Sequence, residues 1–340
     1  MNALVTGAAG FVGSHLCGEL LDHGYAVRGV DCFTDYYPRA RKCQNVEPLL
    51  GRRGFRFTEC DLHDVELGEL LDDIDVVFHL AGQPGVRPSW GRDFGHYVRQ
   101  NISVTQRLLE AVKPRPIRKL VYASSSSVYG DAECFPTPES VRPAPVSPYG
   151  VTKLAAEHLC ELYRVNFGIP TVSLRLFTVY GPRQRPDMAF SRLVEAALRQ
   201  RTFELYGDGS QTRDFTYVAD VVSAMRDAAL SDWCGVANIG GGSRTSMKQV
   251  IAAVEALCGP VDITVGRTQQ GDVRHTAADT RVAATSFGYA PRTSITDGIR
   301  AMVAWARDAP PWGNQPSGEQ KEQRIGGSPV IASHARSDGS

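Results

Sequence analysis

Short apolar runs alternate with amphipathic stretches along the first 170 residues of the chain. Several of these runs are continuous, which is typical of strands buried on both faces of a parallel sheet. The predicted strands are Ala3–Thr6, Ala26–Val30, Phe55–Thr58, Val76–His79, Leu120–Ala123 and Thr171–Leu176. Between them lie stretches with a helical period, such as Ser14–His23 and Ser103–Val112. This alternation predicts an α/β fold built on a doubly wound parallel sheet.

The pattern loosens after about residue 181, where helical stretches mix with short strands. The predicted elements there are the helices Phe190–Arg199, Val218–Leu230 and Ser246–Leu257 and the strand Phe203–Tyr206. We therefore predict a first domain over residues 1–180, to which segments return from the C-terminal half, and a smaller mixed α/β lobe over 181–308. Beyond that lobe large apolar residues become rare, which predicts a disordered tail over 309–340.

The charge balance excludes two classes of partner. Lysine plus arginine number 37, as do aspartate plus glutamate, so the formal net charge is zero. A neutral chain has no general attraction to nucleic acid or to an anionic membrane, and we expect neither as a partner. No run approaches the ~18 apolar residues of a membrane span, and the start of the chain does not resemble a signal peptide. The eight cysteines form no CxxC pair, which predicts reduced thiols in a cytoplasm, and no metal site is predicted.

A glycine-rich turn, Gly7–Gly13, directly follows the first predicted strand and opens a helix. Small residues let the backbone approach a pyrophosphate, and a helix N-terminus supplies free amides and a positive dipole end. Because GxxGxxG differs from the standard GxGxxG spacing, a turn without a ligand is the alternative. Asp31 ends the second strand where an acid that binds the adenosine ribose is expected, which favours NAD over NADP. The nearby Arg39, Arg41 and Lys42 leave NADP open.

Tyr149 and Lys153 form a second candidate site. Ser147 can cap a helix and Pro148 suits its first position, so the tyrosine and the lysine are predicted to lie one turn apart on one face. An ammonium next to the phenol is expected to lower the pKa of Tyr149, so that it can act as an acid and a base. The lysine can also reach the nicotinamide ribose. A surface pair is the alternative reading of this spacing.

Four consecutive serines, Ser124–Ser127, follow the predicted strand Leu120–Ala123. In a parallel sheet ligands bind at the carboxyl ends of the strands, so these hydroxyls are expected to face the site. There they can hydrogen-bond a sugar hydroxyl and share a proton with Tyr149. A polar loop without such a role is the alternative.

Together these residues resemble the extended short-chain dehydrogenase/reductase family, and within it the nucleotide-sugar epimerases and dehydratases. The matching segments, within about residues 1–308, are Thr6–Gly10, Asp61-Leu62, His79–Gly82, Asn101, Val128–Gly130, Tyr149 with Lys153, Tyr180–Arg183 and Arg213–Phe215. The resemblance implies a Rossmann domain that binds NAD and a C-terminal lobe that holds a UDP-sugar. It also implies a homodimer, formed through helices near residues 98–112 and 149–167. A catalytically silent NAD-sensing protein on the same fold is the alternative from another class.

The patterns and the resemblance together imply roles for individual residues. The implied catalytic residues are Ser125, Tyr149 and Lys153. The implied cofactor-binding residues are Gly7, Gly10, Phe11, Val12, Gly13, Asp31, Asp61, Leu62, Leu80, Ala81, Gly82, Gln83, Asn101, Ala123, Tyr149, Lys153, Phe177 and Val179. The implied substrate-binding residues are Gly85, Val86, Arg87, Ser125, Ser126, Thr178, Arg185, Met188, Ala189, Phe190, Tyr206, Arg213 and Arg274. Arg213 and Arg274 look like clamps for the diphosphate, which a guanidinium can hold bidentately.

The subfamilies differ at the serine run. Glucose 4,6-dehydratases carry an Asp-Glu pair, and UDP-glucuronate decarboxylases a glutamate, where this chain has Ser126 and Ser127. Thr178 and the Arg-Pro-Asp-Met run at 185–188 are similar to UDP-glucuronate 4-epimerases, as is Gly271-Asp272-Val273.

The resemblance therefore implies a UDP-glucuronate 4-epimerase. Such an enzyme interconverts UDP-glucuronate and UDP-galacturonate through a 4-keto sugar, with transient reduction of bound NAD. Arg185 is then expected to pair with the C6 carboxylate of the sugar, with Arg183 as the alternative. A UDP-glucose or UDP-N-acetylglucosamine 4-epimerase and a UDP-glucuronate decarboxylase are the alternative enzymes.

Overall fold

A computed structural model of the chain describes residues 1–267, 271 and 273–309. Asp272 and the predicted tail beyond Ala309 lie outside the described residues. The strands in the described part are β1 (Asn2–Thr6), β2 (Ala26–Asp31), β3 (Phe55–Glu59), β4 (Val76–His79), β5 (Lys119–Ser125), β6 (Thr171–Leu176), β7 (Val179–Tyr180), β8 (Phe203–Tyr206), β9 (Thr212–Asp214), β10 (Thr216–Tyr217), β11 (Gly235–Ile239), β12 (Arg244–Ser246) and β13 (Ile263–Gly266).

The helices surround these strands. In the described residues they are α1 (Phe11–Asp22), α2 (Arg39–Val46), α3 (Leu67–Leu71), α4 (Phe94–Tyr97), α5 (Val104–Val112), α6 (Pro148–Phe167), α7 (Ala189–Arg199), α8 (Val218–Leu230), α9 (Met247–Cys258), α10 (Arg281–Phe287) and α11 (Ile295–Asp308). A π-helical turn, Val98–Ser103, joins α4 to α5.

Seven strands form one parallel sheet in the order β11-β6-β5-β4-β1-β2-β3. Strands β1, β2 and β3 follow one another towards one edge, whereas β4, β5 and β6 continue from β1 towards the other edge. The strand order therefore reverses between β1 and β4, where open parallel sheets bind their ligands. The predicted doubly wound parallel sheet, of the Rossmann type, is confirmed.

Alternate residues of the strands supply two apolar layers, one on each face of the sheet. Ala3 and Val5 of β1 pack in the layer that contains helices α1 and α8, whereas Leu4 packs in the layer of α5 and α6. All three side chains are fully buried, which explains why the strand reads as a continuous apolar run.

The C-terminal half contributes to both parts of the molecule. Strand β11 pairs with β6 at one edge of the main sheet, and α8 packs in the layer of α1. Helices α7, α9 and α11 bury their own apolar cluster, which includes Leu193, Val250 and Ile299. Residues up to Ala309 pack as one compact unit, and the division near residue 180 stays a prediction. No helix among the described residues has the length and apolar character needed to cross a bilayer.

The elements that were not predicted include strand β11, helix α11 and several very short strands. Strands β4, β6 and β8 and helix α8 have the predicted bounds. Strands β7, β9, β10 and β12 are two or three residues long, too short for an alternation to be read. Helix α1 begins at Phe11, before the predicted Ser14, because the glycine turn leads directly into it.

Candidate active site

A cavity of about 420 Å³ runs along the carboxyl ends of the parallel strands, from Asp31 and Asp61 at one end to Tyr149 and Arg185 at the other. Of the predicted cofactor-binding residues, all but Asn101 line this cavity. Of the predicted substrate-binding residues, Gly85, Val86, Ser125, Ser126, Thr178, Arg185 and Met188 line it. The fold thus brings together residues from distant parts of the sequence, as expected at a strand-order reversal.

Asn101 lies behind the cavity wall rather than in it. It is buried on the π-helical turn, and its Oδ1 accepts a hydrogen bond from the Gln83 amide at 2.6 Å. Its Nδ2 donates to the Gln83 carbonyl at 3.1 Å and to the Thr152 hydroxyl at 2.9 Å. Asn101 therefore holds the loop after β4 against helix α6, and the structure gives it this positioning role instead of a place in the cavity lining.

Six predicted substrate-binding residues lie outside the lining: Arg87, Ala189, Phe190, Tyr206, Arg213 and Arg274. Phe190 is buried in the C-terminal apolar cluster, with its ring centroid 4.6 Å from that of Phe215. The Arg87 guanidinium lies over the Tyr206 ring at 4.3 Å, and Arg213 donates to the Arg274 carbonyl at 2.9 Å. Substrate contacts of these residues stay predictions.

The glycine turn has the close packing that a dinucleotide site requires. Gly7 has a φ of +73°, and a Cβ on Gly13 would lie 2.1 Å from the Gly7 carbonyl oxygen. Helix α1 starts directly after the turn, and no side chain caps its N-terminus. Its first amides can therefore donate hydrogen bonds to a pyrophosphate, and its positive dipole end favours that charge. This arrangement fits NAD.

Asp31 is held in place at the ribose end of the cavity. Its carboxylate accepts hydrogen bonds from the Ala9 amide at 3.1 Å and the Phe33 amide at 2.8 Å. Burial raises the pKa of Asp31, and Lys42 and the two amides act in the opposite direction. Arg39 pairs with Glu59 at 2.5 Å, so its charge is already matched by a carboxylate. A fixed carboxylate with remaining lone pairs fits the ribose hydroxyls of NAD.

Helix α6 begins as the sequence predicts. Ser147 is its N-cap and accepts a hydrogen bond from the Gly150 amide at 3.1 Å, with Pro148 in the first turn. Tyr149 and Lys153 consequently both face the cavity. The Ser125 hydroxyl at the end of β5 acts to lower the pKa of the Tyr149 phenol at the start of α6.

The electrostatics of this pair differ from the expectation. Burial raises the pKa of Tyr149, and the Ser125 hydroxyl and the Arg185 guanidinium oppose that rise only in part. The predicted lowering by Lys153 is not found. Burial lowers the pKa of Lys153 to about 8, against the influence of Cys160 and Glu157. The cation that acts on the phenol is therefore Arg185.

The serine run stands at the carboxyl end of β5, and all four serines line the cavity. Ser125 accepts a hydrogen bond from the Ser127 amide at 3.2 Å, which closes a short 3-10 turn over Ser126–Val128. Ser124 turns instead to the Glu157 carboxylate, to which it donates at 2.7 Å. The three serines that follow thus present hydroxyls, and no carboxylate, beside Tyr149.

Comparisons with known proteins identify the family. The family model described as NAD dependent epimerase/dehydratase family matches residues 3–240. The chain belongs to this family. It is 44% identical over 309 residues to the uncharacterized UDP-glucose epimerase YtcB of Bacillus subtilis (strain 168), covering 90% of this chain and 98% of that protein. The predicted membership of the nucleotide-sugar epimerases and dehydratases, and the NAD cofactor, are confirmed.

Two solved structures are similar to this chain over most of its length. One is the UDP-glucuronic acid 4-epimerase from Bacillus cereus in complex with UDP-glucuronic acid and NAD, with a TM-score of 0.88 and 45% identity. The other is MoeE5 in complex with UDP-glucuronic acid and NAD, with a TM-score of 0.82 and 43% identity. Each comparison covers 90% of this chain and 99% of the other. MoeE5 is also known in complex with UDP-glucose and NAD.

A buried ion pair, which the sequence did not predict, lies between strand β6 and helix α6. Arg175 of β6 donates to the Glu157 carboxylate of α6 from Nη2 at 2.6 Å and from Nε at 3.1 Å. Its Nη1 also donates to the Tyr129 hydroxyl at 2.8 Å. An arginine inside an otherwise uncharged strand was the available signal, since a buried guanidinium needs a partner.

A second missed feature surrounds Arg185. Its Nε and Nη2 each lie 3.0 Å from an oxygen of Asp187, and Tyr36 donates to the same carboxylate at 3.2 Å. Arg183 has a φ of +63° and lies outside the cavity lining, close to His15. Of the two arginines considered for the sugar carboxylate, the one that lines the cavity is Arg185.

Proposed function

We propose that this chain is an NAD-dependent UDP-glucuronate 4-epimerase that interconverts UDP-glucuronate and UDP-galacturonate. The observation that carries the proposal is the Arg185 guanidinium, which lines the cavity close enough to Tyr149 to act on its pKa. In glucuronate the C6 carboxylate is attached to C5, the neighbour of the reacting C4. A cation beside the acid/base residue can therefore pair with that carboxylate. The relatives whose structures hold UDP-glucuronic acid support this assignment.

In this proposal, NAD held in the cavity would supply hydride transfer at the sugar C4, from one face of the sugar and back to the other face. Tyr149 accepts the proton from the O4 hydroxyl and gives it back from the same phenol. Ser125, whose hydroxyl acts to lower the pKa of that phenol, steadies the proton during both transfers. Lys153, which lines the cavity, would hold the ribose of the cofactor. The residues from Gly7 to Val179 that line the cavity bind the cofactor in the roles predicted above.

A 4-keto glucuronate is a β-keto acid, and it loses carbon dioxide when the bond to its carboxylate stands perpendicular to the ketone plane. Ser126, Ser127 and Thr178 line the cavity with hydroxyls, and Arg185 adds a cation. These groups can bind the carboxylate and keep it out of that orientation. The absence of an acid at 126 and 127 also disfavours the dehydration and decarboxylation alternatives.

One observation favours a second candidate, a UDP-glucose 4-epimerase. Arg185 already meets the Asp187 carboxylate in this structure, so part of its charge is matched within the protein. One relative is named for UDP-glucose, and MoeE5 is known with both sugars. A site of this kind can therefore hold a neutral hexose.

The test is incubation of the purified protein with UDP-glucuronate and, separately, UDP-glucose, without added NAD, followed by anion-exchange separation of the products. The proposal expects UDP-galacturonate without carbon dioxide release. Conversion of UDP-glucose alone would establish the second candidate, and release of carbon dioxide with a pentose product would establish a decarboxylase. Turnover without added cofactor would show that NAD stays bound from cycle to cycle.

We also propose a homodimer in the cytoplasm. Helix α6 exposes several apolar side chains along its length, of which Leu162, Val165 and Phe167 are 53%, 65% and 52% exposed. Such a stripe suits a helix that pairs with its counterpart in a second copy. All eight cysteines are free thiols, which suits a reducing compartment. Light scattering of the wild type and of Val165→Asp tests the dimer, because a charge in that stripe should yield a monomer.

A further inference from the structure

We propose that Asp187 is a positioning residue that presents Arg185 to the sugar carboxylate, and that Tyr36 fixes Asp187 from the cofactor side of the cavity. This inference rests on the proposed function, because it assigns the carboxylate of the sugar to Arg185. It adds two residues that neither the sequence patterns nor the resemblance placed in the substrate site.

The geometry of the pair decides which edge of the guanidinium is available. Asp187 takes the Nε and Nη2 atoms of Arg185, both at 3.0 Å, so the contact is side-on and bidentate. Two parallel hydrogen bonds fix the plane of a guanidinium as well as its position. A guanidinium has five N–H donors, and a side-on carboxylate leaves the end-on edge, formed by Nη1 with Nη2, for a second acceptor. Asp187 can thus orient Arg185 without occupying the place of a ligand.

Tyr36 ties this pair to the segment that begins at Asp31. The Tyr36 hydroxyl donates to Asp187 Oδ2 at 3.2 Å, and the Arg185 guanidinium carbon lies 5.6 Å from the Tyr36 ring centroid. Burial, together with the neighbouring Asp187 charge, raises the pKa of Tyr36, so the hydroxyl stays protonated and remains a donor. Tyr36 itself lines the cavity between β2 and α2. One side chain therefore spans from the cofactor loop to the sugar end.

Gly85 leaves the space that the Tyr36 side chain occupies. It belongs to the loop after β4, has a φ of +101°, and lines the cavity. A Cβ on Gly85 would lie 2.3 Å from the Tyr36 hydroxyl oxygen, so any side chain there would push Tyr36 away from Asp187. Three segments from separate parts of the sequence thus meet at the Tyr36 hydroxyl.

The environment of the pair fits a ligand-facing role better than a structural one. The Arg185 and Asp187 side chains are 19% and 40% exposed, so the pair stands at the border of the cavity. A partly exposed pair contributes less to folding stability than a buried one. The charge of Arg185 acts on Tyr149, and Asp187 partly balances that charge. A change at position 187 should therefore alter recognition of an acidic sugar before it alters the fold.

The experiment compares the NAD-loaded wild type with Asp187→Asn and Tyr36→Phe, using UDP-glucuronate and UDP-glucose as substrates. For Asp187→Asn we expect the KM for UDP-glucuronate to rise about tenfold, with kcat changed much less, because the lost orientation acts on binding. Tyr36→Phe should change the same KM in the same direction by about threefold. The KM for UDP-glucose should change far less in both variants. Asp297→Asn is the matched control, because it removes an exposed arginine–aspartate pair on α11.

A mutant cycle tests whether Asp187 acts through Arg185. In an Arg185→Lys background, which removes the bidentate geometry, Asp187→Asn should have little further effect on the KM for UDP-glucuronate. A fall of that KM in Asp187→Asn would overturn the proposal and make Asp187 a competitor of the substrate. Equal changes for both sugars would also overturn it and assign Asp187 a structural role.

Failure of the proposed function is recognised separately. It appears in the wild type, as an absence of UDP-glucuronate turnover. In that case calorimetric affinities of the NAD-loaded wild type and Asp187→Asn for UDP-glucuronate and UDP-glucose replace the KM values. A selective loss of UDP-glucuronate affinity would still support the positioning role, and an unselective one would overturn it.

Discussion

Two arginine–carboxylate pairs lie close to the candidate catalytic residues, one acting on Lys153 through Glu157 and the other on Tyr149 through Arg185. Arg175 and Glu157 are 5% and 3% exposed and join strand β6 to helix α6. Arg185 and Asp187 are 19% and 40% exposed and belong to one short segment at the cavity border. Both pairs are bidentate. The two pairs differ in their access to solvent. A buried pair stabilises the fold, whereas an accessible pair can also bind a ligand.

The buried pair leaves no room for exchange of partners. Glu157 also accepts from Ser124, and Arg175 also donates to Tyr129, so each charge is matched by several hydrogen bonds. Loss of one partner would leave the other charge buried and unsatisfied. The pair at the cavity border can accept another partner at the end-on edge of Arg185. The buried pair therefore stabilises the packing of β6 against α6, whereas the more exposed pair is able to bind a ligand.

The largest effect is expected at Tyr149, the candidate acid/base residue. Tyr149→Phe removes the phenolic proton carrier and should lower kcat for either sugar by about 10²–10⁴-fold. The folding stability and the KM should change little, because the ring remains in place. Single-turnover measurement of NADH formation checks this. Retention of more than a tenth of the wild-type kcat would assign the proton transfer to another group, such as Ser125.

The next largest effect is on the free energy of unfolding, and it is expected from the buried pair. Glu157→Gln should lower the free energy of unfolding by about 3–5 kcal/mol, because it leaves the Arg175 charge without its buried partner. Glu161→Gln is the matched control, since Glu161 pairs with Arg164 on the exposed side of the same helix. We expect less than about 1 kcal/mol from that variant. Urea unfolding of both variants measures the difference, and similar losses would show that burial is not what distinguishes the pairs.

Removal of Arg185 tests the other half of the comparison. Arg185→Ala should raise the KM for UDP-glucuronate on the order of 10–100-fold and that for UDP-glucose far less, because only the first sugar offers a carboxylate. Arg183→Ala is the control, as Arg183 lies outside the cavity lining. Steady-state kinetics with both sugars decide the matter. Equal losses for the two sugars would remove the basis for assigning a glucuronate substrate.

The smallest expected effect is a shift in pH dependence. The pKa of Lys153 is lowered to about 8 by burial, and the negative charge of Glu157 works against that lowering. Glu157→Gln removes this charge, so the ammonium should lose its proton at lower pH than in the wild type. We expect the alkaline limb of the kcat/KM profile to move towards neutral pH, with Glu161→Gln unchanged. A shift in the opposite direction would mean that another group governs that limb.

The sequence predicted what depends on local pattern and missed what depends on burial. The helix start at Ser147 and six of the seven strands of the main sheet follow from caps and apolar runs and were predicted, whereas β11 was not. The effect of Lys153 on Tyr149 was inferred from charge alone, whereas in the structure burial raises the pKa of Tyr149 and the cation that opposes the rise is Arg185. The pairing of Glu157 with Arg175 could not be predicted, because only the fold shows which carboxylate reaches a buried guanidinium.

The site residues show the same division. The glycine turn and Asp31 are close in sequence and were placed correctly at the cavity. Asn101 and Phe190 were expected in the site, yet one holds a loop from behind and the other packs in the C-terminal cluster. Asp187 stands two residues from Arg185 and was still overlooked, because its contact with Tyr36 joins residues that lie far apart in the chain.

The position of β11 in the sheet has a consequence for synthesis of the protein. Strand β6 ends at Leu176, but its neighbour β11 begins only at Gly235. Asn238 of β11 accepts the Tyr129 hydroxyl, to which Arg175 donates in turn. While the chain emerges from the ribosome, β6 therefore exposes an open edge and the buried ion pair lacks its outer support. The nascent enzyme is most exposed to misassociation between the release of β6 and the arrival of β11.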